Sequence, residues 1–119
     1  MSYRRACRLV LAIVALAAIA SACATEPPPI IRVRDIDVVI QNQTAGAWSG
    51  VEVWVNDHFR VTAASLDVGQ IFVAPLNEFV AAYGQRFDRH RQPVFGVLVT
   101  ARGGDGRPVR ITWGKVRRK

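Results

Sequence analysis

Val51-Glu52-Val53-Trp54-Val55-Asn56-Asp57-His58-Phe59-Arg60-Val61-Thr62 decides the fold. Val51, Val53 and Val55 alternate with Glu52 and Trp54, the period of two that places successive side chains on opposite faces of a strand. Asn56-Asp57 then supplies two residues that tolerate the left-handed backbone a tight hairpin requires. His58–Thr62 is the return strand. A lone hairpin is at best marginally stable in water, so the rest of the chain has to supply further strands.

It does so on both sides. Upstream, 35–41 (DIDVVIQ) places Ile36, Val38 and Ile40 on one face and Asp37 and Gln41 on the other, before turn residues Asn42 to Gly46. Downstream, a strand over 70–74 is entered through Leu66-Asp67-Val68-Gly69 and stops at Pro75. The segment 94–101 is the most hydrophobic and belongs in the middle of a sheet. The glycine-rich loop 102–106 reverses it into 109–113, with Val109, Ile111 and Trp113 sharing a face expected to be core. Between Pro75 and Gly84 the apolar residues Leu76, Phe79, Val80 and Tyr83 recur at i, i+3, i+4, i+7, which predicts a short helix packed on the sheets. Gln85 to Asp88 reads as a short strand or a loop.

Six to seven short strands separated by Gly, Asn and Asp turns predict an all-β domain over residues 30–119. The expected architecture is a small Ig-like or fibronectin-III-like antiparallel sandwich with one short helix. A transthyretin-like sandwich or a small barrel is the alternative. The Cys-Trp-Cys framework of antibody domains is missing, so this expectation concerns architecture alone.

Residues 1–22 differ in kind from the rest. Arg4, Arg5 and Arg8 precede an unbroken apolar run over 9–20, and the segment contains no acidic residue. A positive stretch, an apolar core and small residues before a cleavage point make an export signal. The uncharged span 9–25 is about 25 Å long as a helix, short of the roughly 30 Å of bilayer hydrocarbon. Ala20-Ser21-Ala22 directly precedes Cys23, and these residues resemble the lipobox of bacterial lipoprotein precursors. The resemblance covers the first 23 residues only. It implies cleavage between Ala22 and Cys23, lipidation of Cys23 and retention at a membrane by several acyl chains, where a single chain holds only marginally. Ala24 after the cysteine, in place of Asp, implies the outer membrane facing the periplasm if the host has two membranes. Residues 23–29 then form a lipidated cysteine and a stiff Pro27-Pro28-Pro29 tether.

Splitting the chain there changes its overall numbers. The whole sequence has 119 residues, is 50% hydrophobic and carries a net charge of +7. Without the first 22 residues it has 13 cations against 9 anions, or +4, and its hydrophobic share falls to about 44%. Cys7 leaves with the signal, so the mature chain has one cysteine and no internal disulfide.

Chemistry-bearing patterns are sparse. His58 and His90 lie near Asp57 and Asp88, but Arg86, Arg89 and Arg91 surround the second histidine and disfavour a cation, so no metal is expected. Ser49 and Ser65 lack the glycine-flanked elbow of a nucleophilic serine. Gly103-Gly104-Asp105-Gly106 lacks the Lys and Ser/Thr of a phosphate loop and joins two strands. No cofactor and no enzymatic activity are expected. Trp48 and Trp54 read either as core residues, the commoner outcome for a tryptophan in a sandwich, or as candidates for an exposed ligand or partner face. Arg86, Arg89, Arg91, Lys115, Arg117, Arg118 and Lys119 are candidates for contacts with anionic surfaces. Export removes nucleic acid as a partner. The expected partners are the membrane, through the N-terminal lipid, and another envelope protein. The resulting expectation is an interaction or accessory module, with a glycan- or small-ligand-binding lipoprotein as the alternative.

Overall fold

The computed structural model describes residues 28–118. The expected signal segment, the Ala22–Cys23 cleavage site with its lipidation, most of the tether, and Lys119 lie outside the described residues. Within them, seven strands form two antiparallel sheets. They are β1 (Ile31–Val33), β2 (Asp37–Gln41), β3 (Trp48–Val55), β4 (Phe59–Leu66), β5 (Ile71–Pro75), β6 (Gly96–Arg102) and β7 (Pro108–Gly114). One sheet has the order β1-β2-β5 and the other β4-β3-β6-β7. The fourth strand stays beside the third and does not cross to the first sheet as in Ig constant domains. This is the expected Ig-like, fibronectin-III-like sandwich, and the hydrophobic β6 lies between β3 and β7.

The core lies between the two inner faces. Val38 and Ile40 of β2 and Ala74 of β5 pack with Val51, Val53 and Val55 of β3 and with Val97 and Val99 of β6. Phe59, Phe79 and Phe87 fill the end near the β3–β4 hairpin, with the Phe59 and Phe87 rings edge to face at 5.2 Å. Such burial is worth about 1.5–3 kcal/mol per large apolar side chain and outweighs the intrinsic preferences of the connecting loops.

The hairpin forms where the sequence places it. Asn56 and Asp57 have φ of 52° and 63°, and the His58 amide donates to the Val55 carbonyl at 3.3 Å. Its connection is longer than expected, because Val55 pairs with Phe59 and His58 joins the turn. β4 also runs on to Leu66, beyond the expected Thr62, and β1 is a strand the alternation pattern did not reveal.

Three other expectations change, and the two readings of Trp48 are decided. The stripe between Pro75 and Gly84 is not an α-helix: Leu76–Glu78 is a single 3-10 turn, after which Val80 bridges Arg60 and Arg86 in extended form and Tyr83 is 79% exposed. Ile36 precedes β2 and is exposed, whereas Asp37 on the outer face is buried because the Arg34 guanidinium folds over it. Trp113 is 38% exposed on edge strand β7, while its strand-mates Val109 and Ile111 pack against the core. Trp48 is buried. Regular alternation would set it on the outer face with Trp54, but Gly50 at φ +56° and a register shift against β6 between Ser49 and Glu52 interrupt the pleat. Trp48 therefore turns inward with Val51.

Candidate functional site

Strand direction sorts the loops into two ends. Residues 28–30, the 42–47 turn, the 67–70 turn and the 103–107 loop lie at one end; the Asn56–His58 turn, the 76–95 segment and the C-terminal tail lie at the other. The Gln43 side-chain amide donates to the Pro28 carbonyl at 2.7 Å, which fixes where the N-terminal segment leaves the domain. Charge is distributed unequally. At the N-terminal end Asp67 and Asp105 balance Arg102 and Arg107, the last paired with Asp105 at 3.7 Å. At the far end Arg86, Arg89, Arg91, Lys115, Arg117 and Arg118 are all exposed, with Asp35, Asp57, Glu78 and Asp88 among them, so cations outnumber anions there without standing alone. Five of these six make no salt bridge among the described residues; Arg91 reaches Asp88 at 3.6 Å, with both side chains well exposed. The structure thus brings six of the sequence-nominated cations to one end.

Within that end they form two neighbourhoods. Arg86, Arg89 and His90 line a cleft of about 680 Å³ with Ile36 and Pro75, and Arg89 also borders a second cleft beside Arg34 and Pro93. Asp88 shapes the loop, accepting the His90 amide at 2.9 Å and capping Arg91. The tail makes the other neighbourhood. Gly114, at φ +68°, turns the chain out of β7, and the Lys115 amide donates to the Phe95 carbonyl at 2.9 Å. The tail then crosses the outer face of β6 over Gly96, where a Cβ would overlap the Lys115 carbonyl oxygen.

The tail ends on Trp54. The Asp57 carboxylate accepts the Arg117 and Arg118 amides at 3.1 Å each, and the Arg118 guanidinium lies 3.6 Å from the Trp54 ring centroid. Arg60 approaches the same ring at 5.3 Å while paired with Glu52 at 2.9 Å. Guanidinium over indole is a favourable cation–π arrangement. Beside it is a cleft of about 610 Å³ lined by Trp54, His58, Arg60, Thr62, Ala82 and Arg118, among others. Trp54 is half-buried under the tail and Trp48 is in the core, so the two do not form a joint aromatic platform. The most exposed large rings at this end are Tyr83 and Phe95, at 79% and 57%, with Trp113 beside Gly114 less exposed. Sequence reasoning missed both, placing Tyr83 on a helix stripe and Phe95 in a strand. The adjacent Gly84 and Gly96 were the available signal, since each marks a break in regular structure.

Arg34, which lines the second cleft, is paired with Asp37. Hydrogen bonds from Arg34 at 2.6 and 2.7 Å hold Asp37 below the usual carboxylate pKa, and Asp37 in turn raises Arg34. Among the described residues no group of three or more His, Cys, Asp or Glu is placed to hold a metal, and no helix is long and apolar enough to cross a membrane. Compared with protein families, characterised proteins and solved structures, the chain matches none.

Proposed function

We propose that this chain is an exported, lipid-anchored sandwich that serves as an interaction module of the bacterial cell envelope. The lipobox-like Ala20-Ser21-Ala22-Cys23 supports the anchor. The observation that carries the interaction role is polarity: the N-terminal segment leaves at the charge-balanced end, and the opposite end carries an excess of exposed cations over its acids. Strands of up to eight residues separate the two ends by about 25 Å. A tether of seven residues adds about 20 Å if extended. Anchored in this way, the domain holds its basic end away from its own membrane and toward whatever faces it.

Acylation and display are tested in the same cells. Wild-type protein should incorporate labelled palmitate and Cys23→Ala should not; labelling of the variant would refute the anchor. A photo-cross-linker placed at His90 should capture an envelope component, whereas one at Asp105 should not, and equal capture from both would refute a distal interaction face.

A further inference from the structure

We propose that the tether-distal end binds the carboxylate-bearing glycan–peptide polymer of the cell wall, an inference that rests on the export and anchoring read above. The first argument is the spacing of the cations. Arg86 and Arg89 share one cleft, whereas Arg91 on the same loop and Arg117 on the tail stand outside it, so the cations are spread over the end and only two of them meet in a pocket. An exposed ion pair contributes at most about 1 kcal/mol, so such an array holds a small anion poorly. A polymer that repeats its carboxylates engages several arginines together, and each contact raises the effective concentration for the next.

The second argument is the company these cations keep. Tyr83 and Phe95 expose large flat rings at the same end, and the three loop arginines lie between them in sequence. Rings with a wide apolar face suit stacking against sugar rings, as the guanidinium groups suit carboxylates. A specific protein partner would instead call for a contiguous apolar centre with a polar rim. The anchoring membrane is excluded as the target by position, since the tether leaves from the other end.

The test is co-sedimentation of the full-length lipidated protein, in detergent micelles, with cell-wall sacculi boiled in detergent to strip bound proteins. Wild-type protein should pellet with them, and raised salt should release it, because screening weakens exposed charge pairs. Arg86→Glu/Arg89→Glu/Arg91→Glu should lower the bound fraction at least about tenfold, since like charges now oppose the polymer. Arg102→Glu/Arg107→Glu at the opposite end should bind as wild type. Tyr83→Ala/Phe95→Ala should weaken binding while leaving its salt dependence in place. Should the charge reversals disturb folding, the Gln versions of the same three positions give the comparison. Failure of the wild type to pellet overturns the proposal, as does equal loss from both ends. Binding to anionic lipid vesicles in place of sacculi, or binding only to sacculi that retain their proteins, also overturns it. Palmitate labelling is scored separately: labelled protein that does not pellet overturns this inference alone, whereas unlabelled protein overturns the anchoring beneath it.

Discussion

Asn42 shows how much a single buried polar side chain can organise. Its amide nitrogen donates to the Leu66 and Gly46 carbonyls at 2.9 and 3.0 Å, and its oxygen accepts from the Thr44 amide and hydroxyl at 3.0 and 2.7 Å. The same Thr44 oxygen accepts from the Trp48 indole at 3.0 Å, so the network ties the turn to the core. Asn42→Ala should therefore cost about 2–4 kcal/mol, because several buried groups lose their partners together; urea denaturation measures it, and a loss under about 0.5 kcal/mol would contradict this account. In the sequence Asn42 reads only as turn chemistry. Its decisive partner is a carbonyl 24 residues away, which local composition does not encode. Asp37 gives a prediction with a sign. Its pKa is depressed in the folded state, so its pairing stabilises above the ordinary carboxylate pKa of about 4 and is lost as pH falls through the folded value. Asp37→Asn should flatten that part of the acid-unfolding curve and lower stability at neutral pH only modestly, because Arg34 is solvent-exposed. Unchanged acid sensitivity would rule the pair out as its source.

At the scale of elements, the hairpin was legible because its cause is local: alternating valines and two turn-forming residues suffice. The segment after β5 was not. Leu76 and Phe79 are both buried, and a 3-10 turn brings i and i+3 to one side as an α-helix does. Over so few residues the two periods coincide, and tertiary pairing of Val80 with Arg60 decides against continuing the helix. The C-terminal tail was legible only as a charge run. What the sequence hides is that Gly96 leaves space for it and Asp57 binds its amides. Leu98, on the outer face beside Trp54, is buried although it belongs to no part of the central core, consistent with cover from this strap. Gly96→Ala should displace the tail, and Asp57→Ala should loosen it with the sheets intact. Both should shift Trp54 emission to the red and increase its quenching by a soluble quencher, read in a variant with Trp48 and Trp113 replaced by Phe. Emission unchanged in both would mean the tail does not cover the ring.

For the whole molecule, the sandwich follows from the count and spacing of strands, whereas its polarity follows from topology and had to be seen. The arginines of 86–91 and the cations of 115–118 are separated by more than twenty residues and one hairpin, yet an even number of crossings returns both to the same end. The sequence supplied these residues but not their meeting. The arrangement makes a geometric prediction that tests the proposed anchor. The 103–107 loop shares its end with Pro28, and the 86–91 loop lies about 25 Å further from it. Single cysteines introduced in place of Asp105 and His90, in the acylated protein carried by vesicles with quencher-labelled head groups, should report this difference. If the proposed anchor holds, a fluorophore at 105 should be quenched strongly and one at 90 weakly, because a proline-rich tether would limit how far the domain can tip. Equal quenching would mean the domain lies flat on the bilayer, and stronger quenching at 90 would place the basic end on the membrane and leave nothing to reach the wall.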